Sequence, residues 1–191
     1  MNLARILSLM AVTLWAGAAS ADAIDINLNS DSVEARYATN FRSAEFTVGG
    51  VVNDKYDSWL AYTGLVATGE RTSGTSRTEA GLGGRIYGAS IGDPNNISGN
   101  FDLLALGLGG QFRWFPGNGP FAIGAYGYYA PDIVTGLDGT QFWEAGARLE
   151  YEVVKGTASV YVGYRKARAE FKDNIDADLD KSGMIGVRIG F

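Results

Sequence analysis

The last ten residues of the chain, 182–191, constrain its fold more than any other stretch. Ile185, Val187, Ile189 and Phe191 are apolar and alternate with residues that are small, charged or flexible. Successive side chains of a β-strand point to opposite faces, so this strand would have one wholly apolar face. In water, such a strand at a sheet edge would promote aggregation. A strand with lipid on one side and a polar barrel interior on the other requires this composition.

The terminal phenylalanine gives the same stretch a second meaning. With its alternating apolar neighbours it resembles the C-terminal signal of bacterial outer-membrane barrel proteins, which the barrel-assembly machinery reads during insertion. We therefore expect Ile185, Val187, Ile189 and Phe191 to act as an assembly signal. An ordinary antiparallel strand at a chain end is the alternative.

Residues 1–21 have the organisation of a secretory signal peptide. A short segment with Arg5 precedes an apolar run, 6–16, and small residues ending in an A-x-A box at Ala19–Ala21 follow. The apolar run is too short to span a bilayer as a helix, although an uncleaved anchor is the alternative. Cleavage after the box would leave one domain, 22–191, which we expect to be an outer-membrane β-barrel.

Composition narrows the class further. No other stretch is as long as a transmembrane helix, so a membrane-spanning chain here must be a β-barrel. The chain has 27 glycines and 10 tyrosines, which fits barrel strands and interfacial girdles. It has no cysteine and no histidine, so Ser-His and Cys-His catalysis and imidazole metal sites are excluded. We expect no enzymatic activity, no cofactor and, because the net charge is −5, no nucleic-acid partner.

Alternation and turn residues predict an all-β, antiparallel transmembrane barrel of ten strands. In the clearest strand, 101–115, Leu104, Leu106 and Leu108 alternate with small residues and are predicted to face lipid. Two equally apolar faces leave the strand at 59–68 without a predicted orientation. If the first strand lies outside the sheet, eight strands are the alternative. The predicted strands are 24–28, 33–37, 44–52, 59–68, 78–88, 101–115, 121–129, 141–154, 157–171 and 182–191.

Loop lengths predict the orientation of the barrel. If Phe191 lies at the periplasmic side, the short turns at 116–120 and 155–156 are periplasmic too. The longer connections, 89–100, 130–140 and 172–181, are then extracellular, which is the usual asymmetry. A polar loop predicted at 69–77 does not fit this rule, because it is long for a periplasmic turn.

Charged residues on the predicted inward face are of both signs. In so narrow a barrel they should form ion pairs across the lumen and leave it largely closed. A narrow or gated pore is the alternative. The predicted lumen charge network comprises Arg36, Arg85, Arg113, Arg148, Arg165, Arg188, Glu34, Glu79, Glu144, Glu150 and Glu152.

Two acidic clusters invite a chemical interpretation. Glu144, Glu150 and Glu152 resemble carboxylates for general acid–base catalysis, but the inward arginines need counter-charges, and we interpret them as ion-pair partners. The spacing of Asp173, Asp176, Asp178 and Asp180 resembles a calcium loop. The glycine and final glutamate of that motif are missing, so we expect no metal site; weak Ca²⁺ or Mg²⁺ binding by Asp176, Asp178 and Asp180 is the alternative.

Six segments spread over the mature chain resemble the YfaZ family of proteobacterial outer-membrane proteins. Tyr-Tyr-Ala-Pro-Asp and Val-Tyr-Val-Gly-Tyr-Arg are the most specific of them. The segments are Ile26–Asn29, Gly64–Gly69, Ala80–Gly84, Tyr128–Asp132, Glu144–Tyr151 and Val160–Arg165. The resemblance implies a small outer-membrane barrel and supplies no catalytic residues.

The predicted function is that of a small integral outer-membrane barrel protein. It would be non-enzymatic, with a structural or surface-interaction role; a narrow porin or ion channel is the alternative. The expected partners are outer-membrane lipid, lipopolysaccharide and, during insertion, the barrel-assembly machinery. A monomer is expected, although the sequence does not specify the oligomeric state.

Overall fold

The structure is a computed structural model that describes residues 22–92, 100–172 and 175–191. The predicted signal peptide, residues 1–21, lies outside the described residues, as do Asp173 and most of the predicted loop at 89–100. Within the described part of the chain, no helix is both long and apolar enough to cross a membrane.

The described residues form eleven β-strands and a single 3-10 turn at Asp132–Val134. The strands are β1 (Ala23–Leu28), β2 (Ser32–Phe41), β3 (Ala44–Asn53), β4 (Ser58–Ser73), β5 (Ser76–Gly92), β6 (Asn100–Phe115), β7 (Phe121–Ala130), β8 (Thr135–Leu137), β9 (Gly139–Val154), β10 (Ala158–Phe171) and β11 (Ile175–Gly190).

The strands close into an antiparallel barrel with ten positions in its wall. β1 pairs with β2 on one side and with β11 on the other, where Ala23 lies opposite Gly190. β7 and the short β8 share one position, because β6 pairs first with β7 and then, at Leu103–Ala105, with β8. The prediction of ten strands is therefore confirmed, and the eight-strand alternative fails because β1 is part of the wall.

The wall has two chemically different faces. On β6, Leu104, Leu106 and Leu108 are 53%, 42% and 65% exposed, whereas Leu103 and Ala105, which point the other way, are each 2% exposed. The predicted outward face of this strand is thus the observed one. The outer surface carries apolar side chains all round the barrel, which a protein in water would not tolerate but lipid favours.

The strand without a predicted orientation, β4, is apolar on both faces for a structural reason. Leu60, Tyr62 and Val66 point inward and are buried, whereas Trp59 and Leu65 point outward. The inward residues pack with apolar side chains of other strands in the barrel interior. The sequence of β4 does not alternate between apolar and polar residues, because the outer face and the packed interior are both apolar here.

The two ends of the barrel differ. We call the end that carries Ala23 and Gly190 the terminus end, and the opposite end the loop end. Short turns at 42–43, 74–75, 116–120 and 155–157 connect strands at the terminus end. At the loop end, the longest connection that is fully described, 131–138, contains the 3-10 turn and β8.

The predicted polar loop at 69–77 is wrong, because most of it is strand. β4 continues to Ser73 and β5 begins at Ser76, with Glu70 opposite Glu79. A two-residue turn remains, in which Gly74 has a φ of +60°, a conformation that glycine adopts readily. Beyond Ala67, β4 pairs with β5 and no longer with β3, so this hairpin projects past its neighbour with polar residues on both faces. The short turn also removes the exception to the loop-length rule.

The predicted acidic loop at 172–181 is also mostly strand. β11 begins at Ile175 and follows β10, with Asp176 opposite Glu170 and Asp180 opposite Ala167. The register shifts next to Ala167, which adds one residue to β11 there. The acidic residues are accommodated because cationic side chains of β10 lie across from them, as described below.

Candidate functional site in the barrel lumen

Inward tyrosines fill the lumen because glycines stand opposite them. A Cβ atom on Gly186 would lie 2.3 Å from Cζ of Tyr161, closer than real contacts allow. Glycine at these positions lets a large ring cross the neighbouring strand and reach the lumen centre. The directly opposed pairs are Tyr62 with Gly49, Tyr126 with Gly146, and Tyr161 with Gly186.

The loop-end half of the lumen is filled by an apolar layer. The Tyr87 and Phe142 rings pack at a tilt of 50° with centroids 4.5 Å apart, and the Phe101 and Phe171 centroids lie 5.3 Å apart. Phe142 is fully buried. Buried members of the layer are Val51, Leu60, Tyr62, Val66, Tyr87, Ala89, Ile91, Leu103, Ala105, Tyr128, Ala130, Phe142, Ala167, Ala169, Phe171 and Leu179.

Arg85 lies next to this layer and is 2% exposed. Its Nη1 lies 3.3 Å from a Glu144 carboxylate oxygen, which also accepts a 2.9 Å hydrogen bond from the Tyr87 hydroxyl. The guanidinium carbon lies 4.1 Å from the ring centroid of Tyr128 and 4.8 Å from that of Tyr62. Arg85 is therefore held by one carboxylate and by aromatic faces, an arrangement that excludes water.

Arg165, 1% exposed, joins two buried carboxylates. It donates hydrogen bonds to Glu34 and, from both Nε and Nη2, to Asp180. Asp180 also accepts a 2.8 Å hydrogen bond from Asn53 Nδ2. The sequence pattern predicts a loop at Asp180. The one sequence signal for its inward position is that it lies four residues before the inward Met184, and residues an even number apart on a strand share a face.

A second cluster lies toward the terminus end around Asp25 and Glu150. Asp25 is 2.8 Å from Arg148 Nη1 and 3.2 Å from Arg36 Nη2. Glu150 is 2.6 Å from Arg113 Nη2 and 2.7 Å from Arg148 Nε. Arg148 therefore binds both carboxylates and connects Arg36, Asp25, Glu150 and Arg113 in one network.

Glu79 extends this cluster toward the barrel rim. Its carboxylate lies 3.5 Å from Arg113 and 3.4 Å from Arg77. This glutamate is 35% exposed, so its ion pairs are weaker than those in the barrel centre.

Two residues of the predicted network, Glu152 and Arg188, form no ion pair with any described residue. Glu152 accepts a 3.4 Å hydrogen bond from the Gly156 N–H at a turn. Arg188 lies directly opposite Asp25 across β1 and β11, so it points inward. The remaining predicted residues are brought together in the pairs described above.

A cavity of about 550 Å³ occupies the terminus end of the lumen. Its walls include Arg36, Arg113, Arg148 and Arg188, and it reaches the turn residue Ser43. A smaller cavity deeper in the lumen, about 20 Å³, is lined by Asp25 and Glu34 among others and has room for roughly one water molecule.

The acidic residues considered above as metal ligands or catalytic groups lie beside cationic side chains. Asp176 binds Arg168, Asp178 lies 4.0 Å from Lys166, and Asp180 binds Arg165. The described residues include no group of three acidic, histidine or cysteine side chains that could hold a metal ion. Glu144 and Glu150 likewise bind different arginines.

The apolar C-terminal residues lie on the outer face of the barrel. Ile185, Val187, Ile189 and Phe191 are 63%, 45%, 50% and 68% exposed on the outer face. The backbone N–H of Phe191 donates a 2.8 Å hydrogen bond to the carbonyl of Asp22, which ties the last residue to the segment just before β1.

Comparison with known proteins adds a family and a distant structural similarity. The model of the family described as YfaZ precursor matches residues 1–191. The crystal structure of Neisserial surface protein A (NspA) is similar with a TM-score of 0.39 and 16% sequence identity, covering 90% of this chain and 94% of that chain. No curated protein matches the sequence.

Proposed function

Because the chain belongs to the YfaZ family over its whole length, as its segments predicted, we propose that it is an integral, non-enzymatic protein of the bacterial outer membrane. Its lumen does not conduct solutes, and its role is structural or is exerted through its outer surfaces. The observation that carries this proposal is a closed wall with an apolar outer face around a filled interior.

The outer face supports residence in a membrane. Large apolar side chains such as Leu82, Leu108 and Ile185 are 76%, 65% and 63% exposed on different strands. Exposing such side chains to water costs about 1.5–3 kcal/mol each, and lipid removes that cost. A barrel satisfies all backbone groups within the wall, which is the condition for spanning hydrocarbon with strands.

The filled interior supports a non-conducting lumen. A solute moving along the axis would meet the apolar layer around Tyr87 and Phe142 and then the buried ion pairs of Arg85 and Arg165. Opening that route requires the separation of packed rings and of desolvated charges, each of which is costly.

The lumen chemistry supports a non-enzymatic role. The chain has neither histidine nor cysteine, and the buried carboxylates of Glu34, Glu144 and Glu150 are already hydrogen-bonded to arginine. These groups act as structural counter-charges and are not poised to accept a proton from a substrate.

The outer surface near the loop end supports contact with lipopolysaccharide. Lys166 and Lys181 lie directly opposite each other on β10 and β11, one step beyond the outward Tyr164. Like charges at opposed positions destabilise a sheet, and a nearby anion reduces their repulsion. Lys166 lies 4.0 Å from Asp178, whereas Lys181 forms no ion pair with a described residue. The Lys166 ammonium also lies 5.2 Å from the ring centroid of Trp143. With the loop end outward, this pair would be on the side of the membrane that carries lipopolysaccharide.

Two measurements test the proposal. The full chain, expressed with its leader, should fractionate with the outer membrane and give no single-channel steps in planar bilayers. Reproducible conductance would replace it with the narrow-channel alternative. For the surface role, Lys166→Gln with Lys181→Gln should weaken lipopolysaccharide binding, whereas Lys155→Gln, in a turn at the opposite end, should not. Equal binding by all three proteins would contradict the assignment of this surface.

A further inference from the structure

The terminus-end cavity contains an arginine that the rest of the fold does not neutralise. Arg188 lines the cavity and, unlike Arg36, Arg113 and Arg148, has no ion pair with a described residue. Arg188 lies directly opposite Asp25, and the other three arginines line the same cavity. Asp25 already binds Arg36 and Arg148, so little of its charge is available to Arg188.

Four guanidinium groups thus lie around one cavity, and three of them form ion pairs with Asp25 or Glu150. Asp25 forms ion pairs with Arg36 and Arg148, and Glu150 forms ion pairs with Arg113 and Arg148. Clustering cations in this way is unfavourable in a partly desolvated lumen, since like charges repel more strongly where the dielectric constant is low. A bound anion would compensate for the repulsion.

Five other carboxylates also line the cavity, those of Asp22, Glu45, Glu70, Glu79 and Glu152. Glu45 accepts a 2.8 Å hydrogen bond from Gln111 Nε2, and Glu152 accepts a 3.4 Å hydrogen bond from the Gly156 N–H. Glu79 lies between Arg77 and Arg113. Among described residues, none of these acids lies within ion-pair distance of Arg188.

We propose that this cavity binds a phosphate-bearing anion, with Arg188 as its principal ligand and Arg36, Arg113 and Arg148 as the surrounding positive charge. Guanidinium groups offer paired N–H donors that match the oxygens of a phosphate group. The cavity, about 550 Å³, has room for a small molecule rather than for an inorganic ion alone.

The position of the cavity indicates where the ligand comes from. Its four arginines Arg36, Arg113, Arg148 and Arg188 belong to strands of a closed wall and face its interior, so the barrel wall separates them from lipid headgroups in the bilayer. Access is through the terminus end, past the turn residues Ser43 and Gly156. The ligand is therefore a soluble phosphate-bearing molecule on that side of the membrane. This inference depends on the barrel architecture and holds whether or not the lumen conducts.

The test is calorimetric titration of the full-length, membrane-extracted protein with inorganic pyrophosphate and with inorganic phosphate at low ionic strength. Wild type should bind pyrophosphate more tightly than phosphate. Loss of one charge-assisted contact in Arg188→Gln should weaken binding about tenfold. Arg168→Gln removes an exposed arginine at the opposite end and should leave binding unchanged. Glu152→Gln removes a negative charge from the cavity wall and should strengthen binding.

Three results would overturn the proposal: no binding of either probe by the wild type, equal binding by wild type and Arg188→Gln, or equal losses in Arg188→Gln and Arg168→Gln. Loss of binding caused by misfolding can be distinguished from loss of the site, because heat resistance in semi-native gels shows whether each variant is folded. Conductance is measured independently, so failure of the anion site leaves the non-conducting barrel untouched.

Discussion

Asp180 accepts hydrogen bonds from two nitrogens of Arg165 across the β10–β11 pair, with Nε at 2.7 Å. Both side chains are 1% exposed, and the same guanidinium binds Glu34. One cation therefore binds two buried carboxylates in the centre of the lumen, and no other arginine of the described residues lies within ion-pair distance of either.

Replacement of this arginine should be the most damaging single change in the lumen. Arg165→Ala leaves Glu34 and Asp180 buried without their cation, and removal of one partner of a buried pair costs about 3–5 kcal/mol. We expect the folded form to melt at a markedly lower temperature in semi-native gels. Arg168→Ala is the matched control, because Arg168 is three residues away and binds the exposed Asp176. Equal melting of the two variants would argue against a structural role for the buried network.

Arg148 and Arg188 should respond differently to truncation, although both belong to the charge network predicted from the sequence. Arg148→Ala removes contacts to Asp25 and Glu150, but Asp25 still binds Arg36 and Glu150 still binds Arg113. We therefore expect the free energy of unfolding to fall by about 1.5–3 kcal/mol. Arg188→Ala removes a cation that has no ion-pair partner among described residues and lies among other cations. Its heat resistance should be unchanged or higher. A large loss of stability in Arg188→Ala would show that a partner is present in the membrane.

Gly186 should tolerate no side chain, whereas Gly183 should. An added methyl group at Gly186 would overlap the Tyr161 ring and push its hydroxyl away from Asp25, to which it donates a hydrogen bond. Overpacking of this kind costs about 1–3 kcal/mol. At Gly183, on the same strand, the nearest atom to an added methyl group is 3.8 Å away. Urea titration in detergent should separate Gly186→Ala from wild type and from Gly183→Ala; coincidence of all three curves would contradict the close contact.

Phe191 should matter for insertion more than for stability of the inserted barrel. Its side chain is 68% exposed at the end of β11, so its loss removes few contacts within the protein. If the alternating C-terminal residues form the assembly signal, Phe191→Ser should lower the amount of folded protein in the outer membrane but leave the melting temperature of that fraction unchanged. Val153→Ser, also outward and 60% exposed, is the control. Equal yields from both variants would contradict the assembly role.

The sequence predicted those parts of the fold where the two faces of a strand meet different surroundings. On β6 the outward leucines alternate with small inward residues, and the strand was oriented correctly. On β4 the inward Leu60 and Val66 belong to the apolar layer, so both faces are apolar and alternation carries no orientation. The start of β11 was missed because Asp176 and Asp178 have the composition of a loop, and their cationic partners become visible only when β10 is placed beside them.

The lumen was predictable in composition but not in its pairing. Alternation places Arg148 and Arg188 on the inward face, yet which carboxylate each one reaches depends on the stagger of strands around the barrel. That stagger brings Asp25 and Glu150 to Arg148, although they are far apart in sequence, and it leaves Arg188 without an ion-pair partner among the described residues. The apolar layer that fills the loop end was missed, because its members were scattered over strands whose orientation or length was incompletely known.

The most direct test of the two-faced wall is site-directed spin labelling along β6, which the absence of native cysteine makes straightforward. Single cysteines at 103 to 108 would be labelled and their collision rates measured with oxygen, which concentrates in lipid, and with a water-soluble nickel chelate. Labels at 104, 106 and 108 should be accessible to oxygen, whereas labels at 103, 105 and 107 should be inaccessible to it. Greater oxygen accessibility at 103, 105 and 107, or accessibility that does not alternate along the strand, would contradict a barrel with its apolar face toward lipid and its charged face toward the lumen.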